Sequence, residues 1–220
     1  MTRLLEIKYA SLLSYCPRSS SEKGEIAKRV MRAIKNELPI SSKFGELFAS
    51  EFVVKTLKEI IKKDNDFKDF LGENPILVPV PKHTPIKKGS LWPSFQIAKA
   101  MEKEGMGIVK PLLERIKAVP RSSMSSPESR PRPTVHYESM VIKKIFLLSQ
   151  DIILVDDIVT RGHTLIASVW HVHEAFPDAE VRTFAAMRTV SNEIDFKGLI
   201  DPAIGRIKYR SEYDDCLRRP

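Results

Sequence analysis

The chain has 220 residues, 42% of them hydrophobic, and a formal charge of +8. Its apolar runs are far shorter than the roughly 20 residues that a membrane-spanning helix needs, and its first residues lack the long apolar segment of a secretory signal. These features exclude the membrane and signal-bearing classes, so we expect a soluble, cytoplasmic protein with no membrane partner. The basic charge favours nucleic acid, phosphorylated ligands or acidic surfaces as partners and does not choose among them.

Residues 1 to about 70 are expected to be mainly helical. Apolar residues recur at intervals of three and four in two segments, as expected for helices with one buried face: Ile26, Val30, Ala33, Ile34 and Leu38, then Val53, Val54, Leu57, Ile60 and Ile61. Pro39 would end the first helix. We predict an N-terminal helical cap or hood segment over residues 1–72 and an α/β core over residues 73–220.

The cysteines Cys16 and Cys216 lie near opposite ends of the chain. Neither has a Cys or His neighbour at the spacing of a zinc site. Buried thiols are the expected state in a cytosolic setting, and a disulfide between the two stays open.

A short β-branched run, residues 76–80, predicts a buried strand. A basic loop follows, with Pro81, Lys82, His83, Lys87 and Lys88. Ser90 and Pro93 then indicate the start of a helix.

The segment 118–133, "AVPRSSMSSPESRPRP", is rich in proline, serine and arginine and has no apolar period. We predict a flexible loop, for which a passive surface role is the plainer alternative. Arg121, Arg130 and Arg132 of this loop, with Arg115 at its border, would suit an anionic ligand.

The next elements alternate between strand and helix. Residues 152–155 predict a strand, residues 163–175 a helix, and residues 179–190 another strand, whereas the last 30 residues carry no clear signal. This alternation predicts an α/β fold with a mainly parallel sheet flanked by helices.

Two adjacent carboxylates, Asp156 and Asp157, follow the strand at 152–155. Burying two unpaired carboxylates is costly, so we expect a vicinal diol or a magnesium ion to share their charge. The loop Thr160-Arg161-Gly162-His163-Thr164 follows, and its backbone N–H groups at a helix start favour a phosphate. A ribose 5-phosphate carries both a diol and a phosphate.

Two alternatives explain part of this pattern. A strand, turn and helix with ordinary capping by Thr160 or Thr164 explains the loop but not the paired carboxylates. The first strand of response-regulator receiver domains also carries an acidic pair that binds magnesium, but those domains need it near their start, followed by further functional strands.

The stretch "ILVDDIVTRGHT" resembles the signature of type I phosphoribosyltransferases, whose loop usually reads Thr-Thr-Gly where this chain has Thr160-Arg161-Gly162. Upstream, "ILVPVPKHTPIKKGSLWPSFQIAKAM" is similar to a segment of the ComF/GntX-like branch, which is related to amidophosphoribosyltransferase. Lysines replace the arginines of that segment, and Phe95-Gln96 replaces its Asn-Gln. The zinc-binding cysteines of ComF proteins have no counterpart.

The resemblance implies a Rossmann-like core, the donor 5-phosphoribosyl 1-diphosphate (PRPP), the cofactor magnesium (Mg2+) and a role in nucleotide metabolism. It implies that Asp156 and Asp157 bind the ribose hydroxyls directly or through the metal, and that Thr160, Arg161, Gly162, His163 and Thr164 hold the 5-phosphate. Pro81, Lys82, His83 and Lys88 would face pyrophosphate, and the loop with Arg121, Arg130 and Arg132 would close over the site.

These implications predict a glycosyltransferase that moves phosphoribosyl to or from a nitrogenous base or amine that the sequence does not identify. The alternative is a catalytically inactive PRPP-binding or nucleic-acid-binding regulatory protein, since the ComF branch has links to DNA uptake. A homodimer is an open alternative to a monomer.

Overall fold

The computed structural model describes residues 3–120, 130–147 and 150–219. Their strands are β1 (Glu6–Tyr15), β2 (Pro39–Ser42), β3 (Gly45–Phe48), β4 (Ile76–Pro79), β5 (Ile108–Val109), β6 (Leu113–Arg115), β7 (Met140–Ile142), β8 (Asp151–Val159), β9 (Glu180–Thr189), β10 (Ile200–Arg210) and β11 (Asp215–Arg219). Their helices are α1 (Glu22–Asn36), α2 (Ala49–Ile61), α3 (Asn65–Leu71), α4 (Pro93–Lys103), α5 (Pro133–Glu138) and α6 (His163–Ala175), with short 3-10 turns at Glu193–Asp195 and Ser211–Tyr213.

A seven-stranded sheet in the order β11-β10-β1-β9-β8-β4-β5 forms the centre of the fold. The strands β1, β9, β8, β4 and β5 are parallel to one another. Strands β10 and β11 add an antiparallel edge. The predicted α/β class with a mainly parallel sheet flanked by helices is therefore confirmed.

Helices cover both faces of the parallel part of this sheet. Side chains of α1, α2, α3 and α4 share one hydrophobic core with β1, β4, β8 and β9. Side chains of α6 share a second core with the opposite face of the sheet, in which Trp170 packs edge-on against Tyr209 of β10. This arrangement leaves one face of the antiparallel edge without a helix.

The expectation that residues 1 to about 70 are mainly helical is wrong for Glu6–Tyr15. This segment forms the interior strand β1, which pairs with β9 and with β10. A strand buried on both faces has no alternating pattern, so a short apolar run gives no periodic signal that separates it from a helix. The predicted cap is thus not built from helices alone, and its helices share a core with the sheet.

The two predicted helices of this segment form, with local differences. The first ends at Asn36, and Ile26 and Leu38 are exposed although they were expected on its buried face. Gly24 and Ala27 lie on that face instead, because the helix packs closely at small residues. Val53, Val54 and Leu57 are buried as expected.

The last 30 residues, which had no clear signal, contain β10 and β11. Over residues 206–210, exposed charged residues alternate with buried Ile207 and Tyr209, which is the period of a half-buried strand and was missed. Both cysteines are buried free thiols. Within the described ranges, no helix is long and apolar enough to cross a membrane.

Candidate functional site

The paired carboxylates lie within β8, near the point where the neighbouring strand β4 ends. Pro79, the last residue of β4, is opposite Val155, whereas β8 continues to Val159 beside β9. The prediction that the pair follows the end of its strand is therefore wrong by a few residues. One side of the pair is nevertheless open beyond the carboxyl end of β4, which is where parallel sheets bind ligands.

Asp156 is buried at 9% exposure, and Asp157 is half-buried. Burial, the charge of Asp157 and a hydrogen bond between the two carboxyl groups raise the pKa of Asp156 well above its usual range. The backbone N–H of Asp157 donates to Asp156 Oδ1 at 2.9 Å. Burial and the repulsion between the two side chains thus favour the protonated form of Asp156.

Lys35 of α1 provides a cation for this pair. Its Nζ lies 3.4 Å from Asp157 Oδ2, and Asp157, with a further contribution from Asp156, raises the pKa of Lys35 against the effect of burial. Sequence reasoning missed Lys35, because nothing in its local pattern separates it from other basic residues on the polar side of α1. The predicted cap region therefore contributes directly to the site.

The loop after the pair forms the wall of a small pocket of about 70 Å³. The pocket brings together Asp156 and all five predicted loop residues, which are Thr160, Arg161, Gly162, His163 and Thr164, with Arg130 on its rim. The 13-residue helix α6 begins at His163, so the positive end of its dipole lies at this pocket. The pocket thus has the charge and the free backbone donors that suit a phosphate group.

Gly162 gives the loop its shape. Its φ is 93°, a left-handed conformation that favours glycine, and a Cβ atom here would lie 2.6 Å from Cδ1 of the fully buried Ile207. The loop therefore lies so close to β10 that position 162 has no room for a side chain.

Replacing Gly162 by alanine is expected to lower the free energy of unfolding by about 2–4 kcal/mol, because backbone strain adds to overpacking. Gly45→Ala is the matched control, since Gly45 has φ 85° but no atom within 4 Å of the added Cβ, and should cost only about 1–2 kcal/mol. Urea unfolding of both variants measures the difference. Equal losses would contradict a tight contact between the loop and Ile207.

Asp215 of β11 holds the loop from the other side. This carboxylate is 3% exposed and accepts hydrogen bonds from Arg161 Nη1, at 3.1 Å to each oxygen, from His163 Nε2 at 2.7 Å, and from Arg210. Arg132 Nη1 lies 3.7 Å away. The imidazole of His163 therefore serves the loop's position, and its other nitrogen meets the carbonyl of Pro131 at 2.9 Å.

A buried arginine lies behind the pair. Arg115 donates to the carbonyls of Lys82 and His136, at 3.0 and 3.2 Å, and to Ser139 Oγ. Burial lowers the pKa of Arg115 to about 10, and the charge of Asp156 opposes this shift. Arg115, which was expected to contact an anionic ligand directly, instead joins the predicted pyrophosphate loop to the region below Asp156.

His136 contacts both Arg115 and the loop from Thr160 to Thr164. Burial, Arg115 and His163 lower the pKa of His136 to about 3, so this imidazole is neutral at ordinary pH. Its Nε2 lies 3.5 Å from Thr164 Oγ1. His136 is only 3% exposed, so its imidazole supports the loop from inside the fold.

The predicted flexible loop is described only in part. Arg121 lies outside the described residues, whereas Arg130 and Arg132 lie at the phosphate loop. The Nε atom of Arg130 is buried and has no hydrogen-bond partner among the described residues. An unpaired guanidinium nitrogen beside a pocket of this kind is a ready donor for an anion.

The predicted pyrophosphate residues do not line this pocket. Pro81 is buried, Lys82 Nζ donates to the carbonyl of Leu91 at 3.2 Å, and the carbonyl of His83 accepts from the N–H of Val119. Lys88 is exposed. The structure therefore brings Asp156 to the loop from Thr160 to Thr164, whereas Asp157 does not line the pocket and contacts Lys35. Arg115 connects the basic loop to this region through the carbonyl of Lys82.

A divalent cation fits the carboxylate pair chemically. Magnesium commonly uses one or two protein carboxylates and takes its remaining oxygens from water and substrate phosphates. Asp156 and Asp157 supply that number, and a cation would remove the repulsion that raises the pKa of Asp156. No group of three or more His, Cys, Asp or Glu side chains is placed to hold a metal within the described ranges.

No family model matches this chain, and no curated protein matches it.

Proposed function

We propose that this protein binds PRPP and transfers its phosphoribosyl group to or from a nitrogenous base or amine, as a type I phosphoribosyltransferase of the ComF/GntX-like branch. The observation that carries the proposal is the pocket in which Asp156 meets the loop from Thr160 to Thr164 at the start of α6. A ribose 5-phosphate needs acceptors for its hydroxyls and donors for its phosphate within one small space. This pocket supplies both.

Each end of the ligand has its own residues in this proposal. Asp156 and Asp157 accept hydrogen bonds from the ribose 2- and 3-hydroxyls. The backbone N–H groups of the loop and the free Nε of Arg130 donate to the 5-phosphate. Asp215 keeps Arg161 and His163 in place so that the loop needs little rearrangement when the phosphate binds.

The transfer step needs few specialised groups. The bond between the anomeric carbon and a pyrophosphate oxygen breaks with its electron pair leaving on pyrophosphate, a bond forms from the acceptor nitrogen, and that nitrogen loses a proton. Such a displacement passes through an oxocarbenium-like state, which the nearby carboxylates stabilise. Magnesium, when bound, neutralises charge on the departing pyrophosphate.

Lys82 and His83 are the residues we assign to pyrophosphate, with Lys88 further along the same loop. Arg115 fixes the backbone of Lys82 through its carbonyl. The same arginine lies close enough to Asp156 for its charge to be felt there. Its other hydrogen bonds, to the carbonyl of His136 and to Ser139 Oγ, tie this backbone to the segment after α5.

Calorimetric titration of PRPP, with and without magnesium, tests the binding part of the proposal. We expect micromolar, magnesium-dependent binding by the wild type and a loss of about 100-fold or more for Asp157→Asn, because hydrogen bonds to a charged group contribute about 1.5–3 kcal/mol each. Asp178→Asn is the control, since it removes one exposed carboxylate elsewhere. A folded wild type that does not bind PRPP would overturn the proposal.

A second candidate is a protein that binds PRPP without transferring it. The observation in its favour is that Lys82, His83 and Lys88 do not line the phosphate pocket, so a pyrophosphate subsite continuous with the pocket is not evident in the described part of the chain. Release of pyrophosphate across a panel of purine, pyrimidine and amine acceptors separates the two. Tight PRPP binding with no release for any acceptor would favour the second candidate.

A further inference from the structure

The uncovered face of the antiparallel edge forms a groove of about 980 Å³, which we call the open sheet groove. It lies between the sheet and α3, and its lining comes from β1, β9, β10, β11 and α3. Along β10 the exposed residues alternate with Ile207 and Tyr209, which are buried against the α6 side. Exposed alternate residues therefore project together into the groove.

Three cationic side chains lie side by side on one face of this sheet, on three neighbouring strands. Lys8 of β1 is directly opposite Arg206 of β10, and Arg206 is directly opposite Arg219 of β11. All three are exposed and line the groove. Neighbouring strands lie about 4.8 Å apart, and like charges directly opposite one another destabilise a sheet. The row is thus an unfavourable feature of the free protein.

Four carboxylates, Glu6, Asp66, Asp69 and Glu180, also line the groove, but among the described residues only Glu6 forms an ion pair with the row. Glu6 Oε1 lies 2.6 Å from Arg206 Nη1, whereas Lys8 and Arg219 have no ion-pair partner among the described residues. Lys208, two residues after Arg206 on β10, also has no ion-pair partner among the described residues. An anion that lies along the row would replace the missing partners.

A fourth cation extends the row into the fold. Arg182 of β9 precedes Thr183, which pairs with Tyr9, so it lies beside Lys8. Arg182 is 8% exposed, lines the groove and binds Asp151, and its Nε atom lies 3.9 Å from Glu180 Oε1. Two carboxylates therefore already share the charge of Arg182, and the three exposed cations carry the case for an anion.

We propose that the open sheet groove binds a small molecule with a run of adjacent phosphate groups, such as a nucleoside triphosphate. Three or four cations at strand spacing match several linked charges better than a single one. The volume lies in the range of about 300–1,000 Å³ that is usual for small-molecule sites, and Ile204 and Leu217 offer apolar contacts for a base. Asp66 and Asp69 on the α3 side direct the phosphates toward the row.

This inference does not rest on the proposed function, so its test uses Asp157→Asn protein, in which the carboxylate site is impaired, beside the wild type. Adenosine triphosphate, inorganic tripolyphosphate and adenosine monophosphate are titrated without divalent cations. We expect both proteins to bind the triphosphate equally, and the monophosphate at least tenfold more weakly. Tighter binding of the nucleotide than of tripolyphosphate identifies a nucleotide as the ligand, and equal binding identifies the phosphate chain alone.

The decisive variant is Lys8→Ala/Arg219→Ala, with Lys62→Ala/Lys63→Ala as a control that removes the same charge from the exposed end of α2. We expect at least tenfold weaker triphosphate binding in the first variant and less than a twofold change in the control. The melting temperature of the first variant without ligand should be no lower than that of the wild type, because repulsion is removed.

Three results would overturn the proposal. They are unchanged triphosphate binding in Lys8→Ala/Arg219→Ala, loss of binding in Asp157→Asn, and displacement of the triphosphate by a single-stranded oligonucleotide whose affinity rises with length and falls steeply with salt. The last result would assign the groove to nucleic acid instead.

Discussion

Replacing Asp215 by alanine is expected to lower the free energy of unfolding by about 3–5 kcal/mol, the usual loss when one partner of a buried ion pair is removed. Arg161, His163, Arg210 and Arg132 all face this carboxylate. Without it, these basic groups repel one another behind the phosphate loop. Urea unfolding at pH 7 measures the loss, and PRPP binding should weaken with it because the loop loses its support.

The pH dependence of this loss tests its origin. Burial raises the pKa of Asp215, but hydrogen bonds from His163, Arg210 and Arg161 outweigh burial and hold the pKa below the usual range. A carboxyl group with a lowered pKa in the folded state stabilises the protein above its unfolded-state pKa, near 3.9, and this contribution is lost as the pH falls. The difference between wild type and Asp215→Ala should therefore shrink below about pH 4.

Asp195→Ala, at an exposed position, is the control and should change stability by less than about 0.5 kcal/mol. An Asp215→Ala variant that loses less than about 1 kcal/mol would contradict the network, because an exposed ion pair is worth no more than that.

Replacing Asp156 by asparagine is expected to have opposite effects on stability and on ligand binding. The free energy of unfolding of the free protein should rise by about 0.5–2 kcal/mol at pH 7, since the change removes a buried carboxyl group that is repelled by Asp157. PRPP binding should weaken by about 100-fold or more, because charged acceptors for the ribose hydroxyls are lost. Thermal unfolding and calorimetry measure the two effects.

The gain in stability should depend on pH in a definite direction. The pKa of Asp156 is raised in the folded state, so wild type loses stability relative to Asp156→Asn as the pH rises from the unfolded-state pKa through the folded one. The two proteins should be equally stable in acid and diverge toward neutral pH. Asp178→Asn, which changes an exposed carboxylate, should show neither effect. A less stable Asp156→Asn protein would mean that the carboxylate makes a stabilising contact in the free state.

The segment from β8 to α6 was predictable because its signals are local. An apolar run, two carboxylates, a glycine loop and a helical period follow one another within residues 151–175, and the structure forms a strand, a loop and a helix there. The predicted strand at 76–80 and the helix after Pro93 were confirmed for the same reason. Local periodicity indicates which residues of a segment are buried. In a short segment the strand, loop and helix also follow one another directly, so their sequence order gives their spatial order.

The partners of the site came only from the tertiary structure. Lys35 is 122 positions from Asp157, and Asp215 is 52 positions from His163. Nothing in the pattern around a charged residue states which opposite charge it will meet, because that depends on how the helices and strands pack. The sequence by itself determined the α/β class and the segment with the two carboxylates and the glycine loop. The tertiary structure decided that β1 lies between β9 and β10 inside the sheet, that α1 supplies a cation to Asp157, and that β11 holds the loop, since each of these contacts joins segments far apart in the chain.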